Sequence, residues 1–375
     1  MTEPMNHYAP PLNACSLESL QKPIQTADGS VWPVIASCYN LEKNGDRTGH
    51  MDLFLVKVPE VNTDPLQFGE PRLSFGTRTG ILDGKWFPKN VRDNSSWWFA
   101  TAQSSGEVGL HTFMLNDDPG DPLVAGQTSS CAPIASATGA PVLALAVNWD
   151  TTRGFDDARI VSSYSNGKVA IHDVTRSEVG GIPELIERDC WTAHTLFADV
   201  PAEVWSCSFA AEGKLVVTGA DDAKIKFWDP RALARPVQVL ANHFEAGVTV
   251  ISPHPRNPHL LAAGSYDETV GIFDIRYASQ KMISRSDKLG GGVWRIQWHP
   301  ERDDRMLLAV MHGGCRVVEL DPDDDFKPIL KVVKEFTKHE SMAYGADWLV
   351  NDDDTIEAAA SCSFYDRACY LWSTR

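Results

Sequence analysis

The chain has 375 residues, of which 43% are hydrophobic and 22% charged, and it carries a formal net charge of −16 at pH 7. No apolar run approaches the ~18–20 residues of a membrane-spanning helix, so the sequence predicts no membrane partner. No basic stripe offsets the negative charge, which argues against direct binding of nucleic acid.

The N-terminal residues lack the basic segment and apolar stretch of a secretory signal. We predict that residues 1–16 form a flexible tail and residues 17–375 a single domain. The eight cysteines include no CxxC pair, and those in apolar runs (Cys207, Cys362 and Cys369) are expected to be buried free thiols of a cytoplasmic protein. No cysteine–histidine cluster has zinc spacing, and the sequence indicates no cofactor.

Strand-like runs begin near Val31 and recur along the chain with no convincing helix between them. The first unit contains the runs VWPVIASCYN and GHMDLFLVKV, joined by a long polar turn at residues 41–50. In the second and third units a turn residue precedes a histidine by six positions: Ser105 and His111, Asn166 and His172. The segment 125–140 between these units is rich in small residues and is predicted to be a connecting loop.

The later units keep the same spacing, now with an aspartate at the turn. In the fourth, fifth and seventh units the aspartate precedes an aromatic residue by six positions: Asp222 and Trp228, Asp267 and Phe273, Asp366 and Trp372. The sixth unit has His312 and Val318 in these two places. A fixed offset of this kind is typical of a repeated supersecondary unit, and the alternating runs around each turn predict a β-hairpin.

Seven such units, each with four strands, predict an all-β, seven-bladed β-propeller. The run ending at Trp372 is a third strand, so the last blade requires a fourth strand from elsewhere. We expect the N-terminal segment near residues 15–24 to pair with the last blade. This pairing would close the ring and leave no long exposed sheet edge.

The repeat resembles that of the WD-repeat family, in which a histidine before the first strand joins a hydroxyl, an aspartate and a tryptophan in a buried hydrogen-bond chain. Two units match completely: His194, Thr218, Asp222 and Trp228, then His339, Ser361, Asp366 and Trp372. A third unit matches in part, because it has His243, Asp267 and Phe273 but Ala263 in place of the hydroxyl.

More specific strings resemble the diphthine methylesterase family of WD-repeat proteins. They are LGGGVWRIQWHP at 289–300, HESMAYGADW at 339–348, SCSFYDRACYLW at 361–372 and GSYDE at 264–268. The resemblance implies hydrolysis of a methyl ester on a modified histidine of translation elongation factor 2, on the route to diphthamide. It also implies a substrate side chain that carries a trimethylammonium group, with elongation factor 2 as the partner.

The residue just before each turn aspartate is predicted to face the area around the central channel. Asp221, Tyr266 and Tyr365 hold this place in three blades. Two tyrosines and a carboxylate suit a quaternary ammonium ion, so these are the candidate substrate-binding residues. The alternative is that they are ordinary residues of a protein-binding face.

The hydrolytic chemistry is less clear from the residues, because neither a GxSxG nucleophile elbow nor HExxH is present. His312 is a candidate general base, since it replaces the turn aspartate and lies beside Gly313 and Gly314. It can equally be a turn histidine with a local structural role. Glu203 and Tyr344 precede first strands and are further catalytic candidates at the channel mouth. No metal site is predicted.

A non-enzymatic interaction module is the competing class. WDPR at 228–231 and FDIR at 273–276 lie on adjacent blades and resemble the motifs by which WD-repeat substrate receptors dock on a cullin-ligase adaptor. Alternatively, each arginine pairs with the acid beside it. A trafficking or chromatin scaffold is the third possibility.

Overall fold

The structure is a computed structural model that describes residues 7–26, 29–58, 68–88, 96–115, 123–131, 141–154, 157–176, 183–276, 281–322, 328–351 and 356–375. Within these residues the chain forms seven antiparallel sheets and a short 3-10 turn at Phe197–Asp199. The described ranges contain no helix that is long and apolar enough to cross a membrane. The predicted seven-bladed β-propeller is confirmed.

The sheets follow one another along the chain, apart from the first strand, β1 (His7–Tyr8). Blade 1 contains β2 (Asn13–Ser19), β4 (Gly29–Leu41), β5 (Arg47–Val56) and β6 (Leu73–Thr77), with β3 (Ile24–Thr26) on the edge of β4. Blade 2 contains β7 (Ile81–Trp86), β8 (Ser96–Gln103), β9 (Val108–Leu115) and β10 (Leu123–Cys131). Blade 3 contains β11 (Ala144–Trp149), β12 (Arg159–Tyr164), β13 (Lys168–Arg176) and β14 (Pro183–Thr192).

The remaining blades repeat this order. Blade 4 contains β15 (Ser206–Ala210), β16 (Leu215–Gly219), β17 (Ile225–Trp228) and β18 (Gln238–Leu240). Blade 5 contains β19 (Val248–Pro253), β20 (Leu260–Ser265), β21 (Val270–Asp274) and β22 (Lys281–Arg285). Blade 6 contains β23 (Arg295–Trp298), β24 (Arg305–Ala309), β25 (Cys315–Pro322) and β26 (Pro328–Phe336). Blade 7 contains β27 (Ala343–Val350), β28 (Glu357–Ser363), β29 (Ala368–Ser373) and β1.

The N-terminal segment closes the ring, but at a different place from the one predicted. His7 and Tyr8 pair with Tyr370 and Cys369, so β1 is the fourth strand of blade 7. The expectation for residues 15–24 was wrong, because Asn13–Ser19 is almost wholly buried and forms the innermost strand of blade 1. The tail predicted at residues 1–16 therefore includes strand residues from His7 onward.

A second difference concerns segment 125–140. Residues 125–131 belong to β10 and pair with β9 across an irregularity, so the predicted loop is wrong for this part. Residues 132–140 lie outside the described part of the chain. The predicted buried free thiols at Cys207, Cys362 and Cys369 are confirmed.

The hydrophobic core is divided into seven clusters of the described residues, one between each pair of neighbouring blades. One of these clusters joins Leu17 and Phe54 of blade 1 to Leu349 and Cys362 of blade 7. Each blade is thus stabilised mainly by burial against its two neighbours, and the ring has no unpartnered blade face.

Buried tryptophans add a lateral hydrogen bond between blades. The indole N–H of Trp298 donates to the Ser252 carbonyl at 3.0 Å, and that of Trp348 donates to the Gln297 carbonyl at 3.0 Å. The other members of this set are Trp32 to Val350, Trp86 to Glu18 and Trp149 to Lys85. In every case the acceptor belongs to the preceding blade of the ring, so these bonds all run in one rotational sense.

The predicted hydrogen-bond chain is complete in blade 4. The His194 ring lies 2.8 Å from the Thr218 hydroxyl and 2.9 Å from Asp222, and the Trp228 indole donates to Thr218 at 3.0 Å. In blade 7 the Ser363 hydroxyl stands between the histidine and the aspartate. It lies 2.6 Å from the His339 ring and donates to the Asp366 carboxylate. Blade 5 replaces the chain with edge-on contact of His243 on Phe273, at 5.4 Å between ring centroids.

Histidine replaces tryptophan in blades 2 and 3, as the spacing predicted. The His111 ring lies 3.1 Å from the Thr101 hydroxyl, and the His172 ring lies 2.8 Å from the Ser162 hydroxyl. Burial lowers the pKa of both imidazoles to about 4. The fold therefore holds these two side chains neutral, as acceptors or single donors for the hydroxyls.

Removing the Thr218 hydroxyl should destabilise the protein. Thr218→Val keeps the side-chain shape but leaves the buried Trp228 donor and the buried His194 ring nitrogen without their partner. We expect the free energy of unfolding to fall by about 2–4 kcal/mol in urea titrations. Exposed Thr175→Val is the control and should change it by less than about 0.5 kcal/mol. Equal stability of the two variants would contradict this role of Thr218.

The buried histidines predict a loss of stability on acidification. The unfolded imidazole of His172 takes up a proton near its ordinary pKa of about 6.5, whereas the folded one does so only near its lowered pKa of about 4. The unfolded state therefore binds more protons in this interval, and stability falls as the pH falls from 7 to 5.

In His172→Gln the decline in the free energy of unfolding between pH 7 and pH 5 should be smaller by about 1–2 kcal/mol than in the native protein. Urea titrations at several pH values measure it, with exposed His259→Gln as the control. An unchanged pH dependence in His172→Gln would show that the fold does not lower the pKa of His172.

Candidate functional site

The antiparallel order of each blade determines which loops share a face. Turns between second and third strands lie on the same face as the loops that lead into the next first strand. We call this the upper face. Asp221, Tyr266, His312 and Tyr365 lie in such turns, and Glu203 lies in the loop before β15. The structure therefore places these predicted site residues on one face of the disc, where Tyr344 also lies at the start of β27.

Aromatic rings from five blades form a continuous chain of contacts across this face. Trp205 contacts Tyr266 and Trp294 at centroid distances of 6.3 and 5.4 Å, and Tyr266 contacts Trp294 at 5.9 Å. Trp294 contacts Tyr344 at 4.9 Å, and the chain continues through Phe364 to Tyr365 and Tyr39. We call this set the aromatic rim: Tyr39, Trp205, Tyr266, Trp294, Tyr344, Phe364 and Tyr365.

The rim remains open to solvent in part. Tyr266 is 37% exposed and Tyr365 is 67% exposed, while Trp205, Trp294 and Tyr344 are half-buried. The rings of Trp205, Tyr266 and Trp294 are inclined to one another by 49–89°, so they do not cover one another's faces by stacking. An exposed aromatic group of this size is characteristic of a binding site.

Sequence reasoning found Tyr266, Tyr344 and Tyr365 but missed Trp205 and Trp294. Both tryptophans lie at the start of the first strand of a blade, where the strand register of most blades is irregular. Five blades skip one residue in the register there: Cys15, Leu82, Leu145, Thr249 and Tyr344. Trp205 and Trp294 hold the same place in blades 4 and 6, directly before the first paired residues Ser206 and Arg295. A bulge of this kind re-aims its side chain, here at the channel mouth.

The glycines of LGGGVWRIQWHP allow blade 6 to approach its own turn. Gly290 has a φ of +89°. A Cβ on Gly291 would lie 2.6 Å from the Val310 carbonyl oxygen, and one on Gly292 would lie 3.0 Å from the Met311 sulfur and 3.2 Å from the Tyr266 ring. Any side chain at these two positions would push the turn away from the rim, so the unusual glycine run is explained by close backbone packing.

Two carboxylates lie beside the rim. The Trp205 indole donates to the Asp221 carboxylate at 2.6 Å, and the Asp221 amide donates to the Glu203 carbonyl at 3.0 Å. Burial raises the pKa of Glu203, the charge of Asp221 raises it further, and the charge of Arg47 lowers it. Burial also raises the pKa of Tyr266, with contributions from Tyr344, Asp221 and Glu203. These groups are therefore close enough to influence one another.

The side chain of His312 is exposed. Among the contacts of the described residues, no hydrogen bond, ion pair or ring contact joins its imidazole to the aromatic rim. The structure thus brings Asp221, Glu203, Tyr266, Tyr344 and Tyr365 together and leaves His312 at the edge of the group.

A cavity of about 460 Å³ lies at the opposite, lower mouth of the channel. None of the six predicted site residues lines it. Its buried Glu18 is paired with Lys85 and accepts from Gln297 at 3.0 Å, and its Asp347 accepts the Ser19 amide at 2.7 Å. Both of these carboxylates therefore have partners within the protein.

The arginines of the two WDxR-like motifs also lie on the lower face, after the third strands of blades 4 and 5. Arg231 donates to the Asp229 carboxylate at 2.6 Å, and Arg276 donates to Asp274 at 2.5 Å. Each arginine thus pairs with the neighbouring acid, which is the alternative that the sequence left open. Adaptor docking stays a prediction.

The fold and its hydrogen-bond chains define a WD-repeat propeller. Residues 191–229 and 234–274 match the family described as WD domain, G-beta repeat. A chain in the crystal structure of a mitotic checkpoint complex has the same fold, with a TM-score of 0.62 and 14% identity over 100% of this chain and 95% of that one.

Two relatives identify the family within this class. The chain is 30% identical to the diphthine methyltransferase homolog of Dictyostelium discoideum over 78% of its own length and 76% of the relative's. It is also 30% identical to diphthine methyltransferase of Mus musculus, over 79% of its own length and 58% of the relative's. The protein belongs to the diphthine methyltransferase family, and it spans somewhat more than half the length of the mouse relative.

The aromatic rim predicts binding of a quaternary ammonium ion. Tetramethylammonium should bind to the native protein, and Trp294→Leu should weaken its binding by about 1–2 kcal/mol because the central ring of the chain is lost. Isothermal titration calorimetry measures the change. Phe197→Leu, at an aromatic side chain that is 96% exposed and outside the rim, is the control. Equal affinity of Trp294→Leu and the native protein would rule out the rim as the cation site.

Proposed function

We propose that this protein hydrolyses the methyl ester of methylated diphthine on translation elongation factor 2, giving diphthine and methanol. Its family membership supports a role in diphthamide biosynthesis, since the relatives are named for diphthine. The observation that carries the proposal is the aromatic rim with the carboxylates of Glu203 and Asp221 beside it, on one face of the disc.

The rim suits the cationic part of this substrate. A trimethylammonium group cannot donate a hydrogen bond, so it is bound by aromatic faces and by nearby negative charge. Trp205 provides both, because its ring contacts Tyr266 and Trp294 while its N–H fixes Asp221. The net charge of −16 adds a long-range attraction for a cationic side chain. An open face suits a protein substrate better than an enclosed pocket would.

Glu203 is the general base in this proposal. Glu203 lies two residues before Trp205, and its carbonyl accepts the amide of Asp221, whose carboxylate accepts the Trp205 indole. The carboxylate takes a proton from water while the water oxygen attacks the ester carbonyl carbon. The tetrahedral intermediate then expels methoxide, which takes the proton back from Glu203 to leave as methanol, and the new carboxylic acid releases its remaining proton to solvent to give the carboxylate of diphthine. The raised pKa of Glu203 brings this base closer to the working pH.

The relatives' name refers to methyl transfer, which is the competing reaction on the same side chain. The two reactions differ in their requirements, because hydrolysis consumes only water whereas transfer consumes a methyl donor. Purified protein should be incubated with elongation factor 2 that carries the methyl ester, without a methyl donor. Loss of 14 mass units, seen by mass spectrometry, together with methanol release, would support hydrolysis. A gain of methyl groups that depends on S-adenosylmethionine would overturn the proposal.

In this assay Glu203→Gln should lower the turnover number by about 10²-fold or more, with little change in KM. The substitution keeps the size of the side chain but removes its basicity. His312→Ala is the matched comparison, since His312 lies at the edge of the same face. If His312→Ala is inactive and Glu203→Gln is not, His312 is the base and the role proposed for Glu203 is wrong.

A further inference from the structure

Arg47 is a cationic residue beside the aromatic rim that the proposed mechanism has not used. It is the first residue of β5 and pairs with Leu41 across the turn between the second and third strands of blade 1. This turn lies on the upper face, so Arg47 is on the same side of the disc as Glu203 and Tyr266.

The side chain of Arg47 is held by packing. Its guanidinium carbon lies 5.9 Å from the centroid of the Tyr39 ring, and Tyr39 contacts Phe364 at 5.0 Å. Its stem packs on Gly80, where an added Cβ would lie 3.0 Å from the Arg47 Cβ. The Nε atom is buried and has no hydrogen-bond partner among the described residues.

The charge of Arg47 acts on the far side of the rim. It opposes the rise in the pKa of Glu203 that burial and Asp221 cause, although Glu203 belongs to blade 4. It also opposes the rise in the pKa of Tyr39. The site therefore has two electrostatic ends, with Asp221 and Glu203 near Trp205 and Tyr266, and a guanidinium near Tyr39.

We infer that Arg47 binds the carboxyl end of the substrate, while the rings around Trp205, Tyr266 and Trp294 bind its trimethylammonium group. This inference rests on the proposed function. A guanidinium is a charged donor to a neutral ester carbonyl, but with an oxyanion or a carboxylate both partners are charged and the pair is stronger. Arg47 thus stabilises the negative charge that develops on the carbonyl oxygen and binds the product more tightly than the ester.

Small probes separate the two ends of the site. Tetramethylammonium tests the cation end alone. Glycine betaine adds a carboxylate, and the neutral amide of glycine betaine has nearly the same shape without that charge. In the native protein we expect betaine to bind more tightly than its amide by about 5- to 20-fold, the value of one charge-assisted hydrogen bond.

Arg47→Met should abolish the preference for betaine over its amide and leave the affinity for tetramethylammonium unchanged. Arg47→Lys should keep part of the preference, since a single ammonium charge lacks the two parallel donors of arginine. Arg367→Gln is the matched control, because Arg367 is an exposed arginine on the same face whose guanidinium donates to the Pro11 carbonyl at 3.1 Å. It should behave like the native protein. Calorimetry gives the dissociation constants, and the thermal unfolding midpoint confirms that each variant is folded.

The outcomes are distinct for the two proposals. If tetramethylammonium binds and Arg47→Met keeps the native preference for betaine, the role inferred for Arg47 is overturned and the proposed function stands. If the native protein binds tetramethylammonium but shows no preference for betaine over its amide, the role inferred for Arg47 is likewise overturned and the proposed function stands. If tetramethylammonium does not bind, the cation site fails, and with it both proposals. If Arg47→Met does not fold, the test rests on Arg47→Lys. A preference of Arg47→Lys for betaine over its amide as large as that of the native protein would refute the need for the guanidinium.

Discussion

Closure of the ring between blades 7 and 1 is the constraint on which the upper-face site depends. Among the described residues the seam joins β1 to β29 by two residue pairs, and it is reinforced by the buried cluster that includes Leu17, Phe54 and Leu349. Tyr39 and Phe364 touch across this seam, so the aromatic rim crosses it. Because Arg47 belongs to blade 1 and Glu203 to blade 4, their relative position is set by the whole ring and not by any local segment.

The sequence predicted the repeated unit well because its chemistry is local. One turn residue and one side chain six positions later belong to the same hairpin, so His111 and His172 could be placed opposite their hydroxyls even though tryptophan is absent there. What failed was the assignment of strands to blades at the seam. Asn13–Ser19 and His7–Tyr8 both have strand character, and only the packing of the closed ring determines which one is innermost.

The site was predictable only in part for a similar reason. Tyr266 and Tyr365 precede turn aspartates and follow from the repeat, whereas Trp205 and Trp294 lie directly before the first paired residues of their blades, a position that the repeat spacing does not mark. Arg47 lies beyond sequence reasoning of this kind, because its proximity to the rim comes from the packing of blade 1 against Phe364 of blade 7. The partners of the buried acids Glu18 and Asp347 are likewise set by tertiary packing, since Lys85 and Ser19 are distant from them in sequence or belong to another blade.

The indole hydrogen bonds make the two neighbours of a blade such as blade 6 unequal, because it donates to one of them and accepts from the other. The carbonyl of Gln297 in blade 6 accepts from Trp348 of blade 7, and the carbonyl of Val350 in blade 7 accepts from Trp32 of blade 1. Displacement of one innermost strand therefore deprives the next blade of its acceptor, while the preceding blade keeps its own. A displaced first strand in blade 6 thus leaves a buried indole N–H of blade 7 unpaired, and one in blade 7 leaves the Trp32 indole unpaired across the join between the chain ends.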